Sequence, residues 1–171
     1  STDILEYCSA CKSKLILKPL NSSGGHGLFL VQIKGDMVQV NNDKMGVEKF
    51  NNLISPLDNY IITKYVEQSS FMSEIFPYAV NTVRILTMVD PTTHEPFVAN
   101  AVLRIGTNKS IPTDNMSRGG LSAFIDLKTG VLGKAAMFPQ HSNQKDRVVW
   151  HDKHPDTGKQ ISGLQIPNWQ G

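Results

Sequence analysis

The sequence predicts an α+β fold, with a small N-terminal α+β lobe followed by a lobe that is mostly antiparallel sheet. The first observation is that strand-like and helix-like stretches alternate up to about residue 66. The second is that two strand–turn–strand patterns dominate the chain after residue 80. We therefore expect two lobes, residues 1–66 and residues 67–171.

The first elements of the N-terminal lobe are a helix over 3–11 and three strands. Apolar runs typical of strands lie at 14–19, 28–34 and 36–40. The Gly35-Asp36 pair that separates the last two runs is typical of a short hairpin turn. These strands are expected to form a small sheet.

A helix and a further strand complete this lobe. In "DKMGVEKFNNLI" (43–54), Val47 and Phe50 recur at helical spacing, and Asp43 is the expected N-cap. "NYIITKYVEQ" (59–68) has the composition of a strand.

The second lobe begins with a short helix that ends near Pro77, and two hairpins follow it. Strand patterns at 81–90 and 96–107 flank "PTTHE". A second pair, at 119–127 and 131–138, flanks "KTG". From residue 139 onward polar residues, Pro and Gly prevail, and no regular structure is expected there.

Composition excludes some classes of function. The chain has 171 residues, of which 40% are hydrophobic, so it can bury its own core. Its net charge of +2 is small and its basic residues are dispersed, which argues against a nucleic-acid partner. Its apolar runs fall far short of the roughly 20 residues that span a bilayer.

The two cysteines and the chain ends bear on location and completeness. Cys8 and Cys11 form CSAC, which is either a redox or half-zinc motif or two small apolar side chains on one helix face. Free thiols fit a reducing cytoplasm, where we expect the protein to reside. Because the chain opens at "STDILEYCSAC" without Met and stops at "IPNWQG", we expect it to be truncated at both ends.

The glycine-rich segment "LILKPLNSSGGHGLFLV" (15–31) allows two interpretations. Glycines let backbone N–H groups approach an anion closely, and a lysine on the preceding strand supplies positive charge. The segment is then a phosphate cover with Lys18 beside it. Alternatively, it is an ordinary flexible hairpin, since the P-loop pattern GxxxxGK[ST] is absent.

Two arginines on adjacent predicted strands also allow two interpretations. Arg84 and Arg104 are placed to present guanidinium groups to one anion, for which arginine geometry is well suited. The alternative interpretation is that they form structural ion pairs with Glu67, Glu74 or Asp126.

The C-terminal tail contains further polar and aromatic candidates. "WHDKHPDTG" carries His151 and His154 among carboxylates, which suggests either a metal site or an exposed polar loop. Trp150 and Trp169 suggest either a sugar-binding β domain or simple packing.

Five ordered segments together resemble the ATP-grasp proteins, in particular the sugar-transfer-associated branch related to α-L-glutamate ligases. They are "LILKPLNSSGGHG", "YIITKYVEQ", "SEIFPYAVNTVRILT", "AVLRIGTNKSIPTDNMSRGGLSAFIDLKTGVLGKA" and "HPDTGKQISGLQIPNW". The resemblance covers nearly the whole chain and implies an ATP-grasp-like fold. Residues 1–66 would then be the glycine-loop lobe that covers the nucleotide, and residues 67–171 an incomplete antiparallel-sheet lobe.

The resemblance implies that ATP is bound by one group of residues. The lysine and the glycine loop would contact its phosphates, the backbone of the hinge at 63–66 would meet adenine, and an acidic residue would bind ribose. At the hinge, Thr63 stands where the family usually has an acidic residue. The implied set is Lys18, Ser22, Ser23, Gly24, Gly25, His26, Gly27, Lys64, Val66 and Glu67.

The resemblance further implies a ligase reaction. ATP would phosphorylate a small-molecule carboxylate to an acylphosphate, and an amine or a sugar-linked acceptor would displace phosphate. Arg84 and Arg104 lie where the family places positive charge near the transferred phosphate, and Asn115 belongs to the same catalytic set. Gly119 and Gly120 match the loop on the acceptor side. The implied setting is bacterial polysaccharide or capsule synthesis.

Magnesium is also implied, although no metal ligand is assigned within this sequence. The family's "WD" and "EGN" metal blocks are absent before Gly171, so the ligands are expected downstream of residue 171. By itself this chain is therefore expected to be inactive. The alternative function is a non-catalytic nucleotide-binding module, or pseudo-enzyme, with the same fold.

Overall fold

The structure, a computed structural model, describes residues 4–7, 13–142 and 147–170. The chain divides into two compact units, Ser1–Glu67 and Gln68–Gly171. Residues 4–7 are helical, within the helix predicted over 3–11. Cys8 and Cys11 lie outside the described residues.

The first unit is a five-stranded antiparallel sheet in the order β4-β3-β2-β1-β5, with one helix after β4. Its core joins the buried strand residues Leu15, Leu17 and Val31 to Phe50 of the helix. The elements are β1 Leu15–Pro19, β2 Phe29–Lys34, β3 Met37–Val40, β4 Asp43–Met45, α1 Val47–Ile54 and β5 Tyr60–Lys64.

Two predictions for this unit are wrong at an element boundary. Asp43 does not cap the helix: it begins β4, and Gly46 is the residue before α1. The reason is that β4 pairs with β3, which buries Met45 opposite Val38. The strand predicted at 59–68 ends at Lys64, because its pairing with β1 ends at Leu15.

The second unit contains another five-stranded antiparallel sheet, in the order β10-β9-β8-β7-β6. Both predicted hairpins are confirmed as β6–β7 and β8–β9. The elements are α2 Ser70–Ile75, β6 Thr82–Val89, β7 Pro96–Ile105, β8 Leu121–Ile125, β9 Leu132–Met137 and β10 Val149–His151, with 3₁₀ turns at Met116–Arg118 and Pro139–His141.

The expectation of an irregular tail missed β10. This three-residue strand is too short to stand out in the sequence, and it exists because it pairs with β9, Val149 opposite Met137 and His151 opposite Ala135. The rest of the tail packs back on the unit, and Ile161 is fully buried in its core.

The second unit's sheet has one face in the core and an opposite face that mixes polar and apolar side chains. Side chains alternate along each strand, so Leu103, Ala123 and Ala135 lie on the face that forms the core. The opposite face carries Thr82, Arg84, Arg104 and Ser122, since Thr82 pairs with Arg104 and Arg104 with Ser122. We call it the arginine face.

The predicted fold class is confirmed: the protein is α+β, with two antiparallel sheets and few helices. In the part of the chain that the structure describes, no helix is long and apolar enough to cross a membrane.

Candidate functional site

Lys18 lies on the face of the first sheet that α1 does not cover. Leu15 and Leu17 project into the core, so alternation directs Lys18 to the other side, where it is exposed opposite Ile61. We call this the outer face, defined by Ile16, Lys18, Ile61 and Thr63. An exposed ammonium group there is free of the core and available to an anion.

The glycine loop between β1 and β2 is ordered by its own hydrogen bonds. The Ser22 hydroxyl donates to the His26 carbonyl (3.1 Å), and the His26 N–H donates to the Ser23 carbonyl (3.3 Å). Ser22, predicted as a donor to phosphate, thus already has an acceptor within the loop.

The loop's glycines have left-handed backbone conformations. Gly24, Gly25 and Gly27 have φ of 68°, 76° and 70°, values that side chains other than glycine rarely adopt. Gly27 also packs closely, because a Cβ there would lie 2.7 Å from the Tyr60 hydroxyl. The turn therefore requires glycine for its conformation. Both a phosphate cover and a plain hairpin have this requirement, so it does not distinguish the two interpretations.

The backbone of β5 has one unpaired side. Leu20 N donates to Asn59 O (2.8 Å) and Tyr65 N to Lys14 O (2.9 Å), so odd-numbered residues bond to β1. The backbone groups of Ile62 and Lys64 consequently point away from β1, and none of the described strands lies beyond β5. Val66 follows in an exposed segment.

Glu67 and its neighbours form a small charged cluster. The Lys14 ammonium lies 4.9 Å from the centre of the Tyr65 ring and 3.5 Å from a Glu67 carboxylate oxygen. Burial, and then the Glu67 charge, raise the pKa of Tyr65. The Glu67 carboxylate itself is 76% exposed, so it remains accessible to a ligand hydroxyl.

Arg104 is held in an ion pair that neither sequence interpretation named. Its Nη2 lies 2.7 Å from Asp114 Oδ1, with the two side chains only 19% and 9% exposed. The Thr82 hydroxyl donates to the other Asp114 oxygen. Glu67, Glu74 and Asp126, the partners suggested from sequence, are not involved.

Arg84 lies on the arginine face, two residues from Thr82, and its side chain is exposed. It borders a shallow cavity of about 180 Å³ with Leu86, Asn100, Ala101 and Val102. Among the described residues no carboxylate lies within ion-pair distance of Arg84, so its guanidinium group is the more available of the two.

Asn115 and the two glycines build the loop that connects β7 to β8. The Asn115 side-chain oxygen accepts from the Ser117 N–H (2.9 Å) and hydroxyl (2.8 Å), which caps the 3₁₀ turn. Gly119 has φ of 98°, and a Cβ on Gly120 would lie 2.7 Å from the Asp114 carbonyl oxygen. These three residues have evident structural roles in shaping the loop that also holds Asp114.

The tail histidine His154 is a packing residue. It is 1% exposed, its ring stacks on Phe76 with centroids 5.0 Å apart, and its Nε2 lies 2.7 Å from the Gly106 carbonyl oxygen. Nδ1 accepts from the N–H groups of Asp156 and Thr157, both at 3.2 Å. Both ring nitrogens are thus engaged, which rules out His154 as a metal ligand.

The described residues show no ready-made cluster of metal ligands. Across residues 4–7, 13–142 and 147–170, no three His, Cys, Asp or Glu side chains cluster as metal ligands would. We therefore assign no metal ligand.

The tryptophans have different surroundings. Trp169 donates from Nε1 to the Leu127 carbonyl (2.8 Å) and packs on the core. Trp150, 61% exposed, lies on the arginine face. The two do not form one sugar-binding surface.

Asp114 and Thr82 are the residues that sequence reasoning missed. The only sequence signal for Asp114 was its position in a polar loop after the arginine strand, and nothing marked Thr82 as its partner. Lys14 and Tyr65 were also missed, because their contacts depend on the pairing of β1 with β5.

Comparison with known proteins agrees with this architecture. Two antiparallel sheets with few helices are consistent with an ATP-grasp-like fold. The family model described as "Sugar-transfer associated ATP-grasp" matches residues 1–171. The chain belongs to this family. No curated protein and no solved structure matches it. Family membership indicates ATP binding and a ligase-like, ATP-dependent function.

Proposed function

We propose that this protein is an ATP-dependent ligase that activates a carboxylate as an acylphosphate. The observation that carries the proposal is an exposed lysine near the end of β1, the strand that leads into a loop with left-handed glycines. The lysine lies on the sheet face that α1 leaves uncovered. Family membership makes ATP the expected ligand of that face.

The first unit would hold ATP through complementary groups. Lys18 and the loop residues Ser22, Ser23, Gly24, Gly25, His26 and Gly27 are proposed to contact the phosphates. The unpaired backbone groups at Lys64, with those of Val66, are proposed to read the edge of adenine. Glu67, exposed beside Lys14, would accept hydrogen bonds from the ribose hydroxyls.

In the second unit, Arg84 and Arg104 are proposed to neutralise charge on the transferred phosphoryl group. Arg104 keeps donors for this role, because a guanidinium group has five N–H donors and the Asp114 contact is made by Nη2. Neutralising that charge is the main demand of phosphoryl transfer. Asn115 and the Gly119-Gly120 pair are proposed to approach the acceptor.

The proposed reaction has two steps. A carboxylate oxygen of the substrate attacks the γ-phosphorus, an O–P bond forms, the bond to the β-phosphate oxygen breaks and ADP leaves. An amine or a sugar-linked nucleophile then attacks the carbonyl carbon, loses a proton and expels phosphate. The family's association with sugar transfer supports an acceptor from bacterial polysaccharide or capsule synthesis.

Titration calorimetry with ATP and magnesium tests the nucleotide site. We expect Lys18→Ala to weaken ATP binding about ten-fold, since one charge-assisted contact to a phosphate is lost. Its stability should change little, because the side chain is exposed. Lys49→Ala is the matched control: it removes an exposed lysine from α1, on the other side of the sheet. Equal affinities for wild type and Lys18→Ala would remove Lys18 from the site.

A second candidate, a nucleotide-binding module without catalysis, is favoured by the ion pair of Arg104. A guanidinium group already neutralised by Asp114 is less able to stabilise transferred charge. Hydroxylamine, which converts an acylphosphate to a hydroxamate, separates the two candidates. With a panel of carboxylates and ATP, a ligase should form hydroxamate and ADP together, and Arg84→Met should abolish both. ATP binding without either product, also when the assay is repeated on a chain extended beyond residue 171 to include the expected metal ligands, would support the binding module.

A further inference from the structure

The second unit contains a cavity of about 260 Å³ that the proposed function does not use. Its walls combine polar and apolar groups. Val149 pairs with Met137, and both lie on the sheet face opposite the arginine face, so the cavity is separate from the residues assigned to phosphoryl transfer. The lining residues are Thr107, Lys109, Met137, His141, Ser142, Val149, His151, Pro155 and Asp156.

Two opposite charges, those of Lys109 and Asp156, line this cavity. The Asp156 carboxylate accepts from the backbone N–H of Asn108 (2.8 Å), the residue immediately before Lys109. Lys109 donates to the His141 carbonyl (2.6 Å), which leaves two of its three ammonium hydrogens for other acceptors. Neither charge forms an ion pair with the other or with another described residue.

His151 adds an unsatisfied polar atom to the wall. Its Nε2 is buried and has no hydrogen-bond partner among the described residues. Buried polar atoms are nearly always hydrogen-bonded, so this exception calls for a partner that the described residues do not supply. A ligand atom in the cavity would supply one.

We propose that this cavity binds a small zwitterion with an apolar body, that is, a free amino acid or an amino-acid group on a larger molecule. The ligand's carboxylate meets Lys109 and its ammonium group meets Asp156. Met137, Val149 and Pro155 contact the apolar side chain, and His151 hydrogen-bonds to the ligand's carboxylate. The two charges, the apolar wall and the buried nitrogen of His151 would each thereby gain a partner of matching chemistry.

Two residues of the cavity wall, Lys109 and His141, also contact the loop that carries Asp114. A Cβ on Gly119 would lie 2.9 Å from the Lys109 Cβ and 3.5 Å from the His141 ring, so the cavity wall packs directly on this loop. His141 Nε2 lies 2.8 Å from the Ser117 carbonyl oxygen in the same loop. A ligand in the cavity would therefore contact residues that pack on the loop holding Asp114, the partner of Arg104.

Amide-resolved NMR titration of the ¹⁵N-labelled protein tests the proposal with three related probes. They are L-valine, isovalerate, which is valine without its ammonium group, and isobutylamine, which is valine without its carboxylate. We expect L-valine to shift the amides of Asn108, Lys109 and Asp156 and to bind at least ten-fold more tightly than either analogue. No shift with L-valine, or equal affinity for an analogue, would overturn the proposal.

Two charge-removing variants assign the ends of the ligand. Lys109→Gln should abolish the higher affinity of L-valine relative to isobutylamine, which lacks the carboxylate. Asp156→Asn should abolish its higher affinity relative to isovalerate, which lacks the ammonium group. The matched controls, Lys128→Gln and Asp152→Asn, remove exposed charges outside the cavity and should leave all three affinities unchanged. Because no nucleotide is present, this result is independent of the ATP titration. Unaltered selectivity in both cavity variants would refute the assignment.

Discussion

At the scale of single residues, Arg104 has two roles, one in holding the loop after β7 and one proposed for phosphoryl transfer. Its ion pair with Asp114 is mostly shielded from water, and Thr82 satisfies the second carboxylate oxygen. An arginine in this position organises the loop after β7 and also faces the side of the sheet proposed for phosphoryl transfer. Loss of activity in an Arg104 variant would therefore have to be separated from loss of stability.

Arg104→Met should lower the free energy of unfolding by about 3 kcal/mol, because it leaves the Asp114 carboxylate without its countercharge. Urea denaturation measures this change. Adding Asp114→Asn to the same chain should recover part of the loss, since the uncompensated charge is then gone. If the single variant were as stable as wild type, the pair would contribute nothing to folding.

His154 makes the stability of the second unit depend on pH. Burial is the main cause that lowers its pKa below the ordinary value of 6.5, so the unfolded chain binds a proton more readily than the folded one. The neutral imidazole of His154 therefore makes its full contribution to the free energy of unfolding above pH 6.5, and this contribution is lost as the pH falls below 6.5. The limiting slope is about 1.4 kcal/mol per pH unit.

Urea unfolding at pH 7.5 and pH 5.0 checks the direction of this effect. Wild type should be less stable at the lower pH, and His154→Gln should show a smaller difference between the two conditions. His94→Asn, which replaces an exposed histidine, should behave like wild type. A wild-type stability that rose on acidification would contradict the assignment of a neutral, buried imidazole.

At the scale of elements, the loop between β7 and β8 is the most constrained part of the second unit. Thr107 donates to the Gly119 carbonyl (2.8 Å), and the Gly120 N–H donates to the Asn115 carbonyl (2.9 Å). Gly119 is required because its φ is left-handed, and Gly120 is required because backbone atoms of the loop lie close to it. The loop is thus a rigid support for Asp114.

Gly120→Ala should destabilise the protein by about 2 kcal/mol, because the new methyl group would lie within 3 Å of backbone atoms that cannot move aside. Thermal unfolding followed by circular dichroism measures it. The control is Gly133→Ala in β9, where the nearest atom to a Cβ is 3.7 Å away, and no loss is expected. Equal melting temperatures for the two variants would mean that the loop adjusts freely.

At the scale of the whole molecule, each of the two units has its own hydrophobic core. Leu17 is buried among residues of the first unit and Leu103 among residues of the second. Leu17→Ala and Leu103→Ala should each cost about 3 kcal/mol, the usual cost of such a cavity. Hydrogen exchange should show the loss of protection in the strands of the altered unit first. An equal and simultaneous loss in both units for either variant would argue for one cooperative structure.

Much of the architecture was predictable, because strands and turns leave local signals. Alternating apolar residues and turn pairs such as Gly35-Asp36 identified β1, β2 and β3, and the two later hairpins were recognised in the same way. The starts of β4 and α1 were not, since Met45 becomes a strand residue only when Val38 lies beside it.

The sequence by itself determined the family, the α+β class, and the placement of a lysine and glycines where a phosphate is expected. Tertiary structure alone decided that Arg104 pairs with Asp114, that both nitrogens of His154 are engaged, and that Lys109 and Asp156 share a cavity. The physical reason is the separation along the chain of the residues that make each contact. A turn or a strand is specified by neighbours in the chain. By contrast, the Arg104–Asp114, His154–Gly106 and Asp156–Asn108 contacts join residues 10, 48 and 48 positions apart and exist only after the sheet has formed.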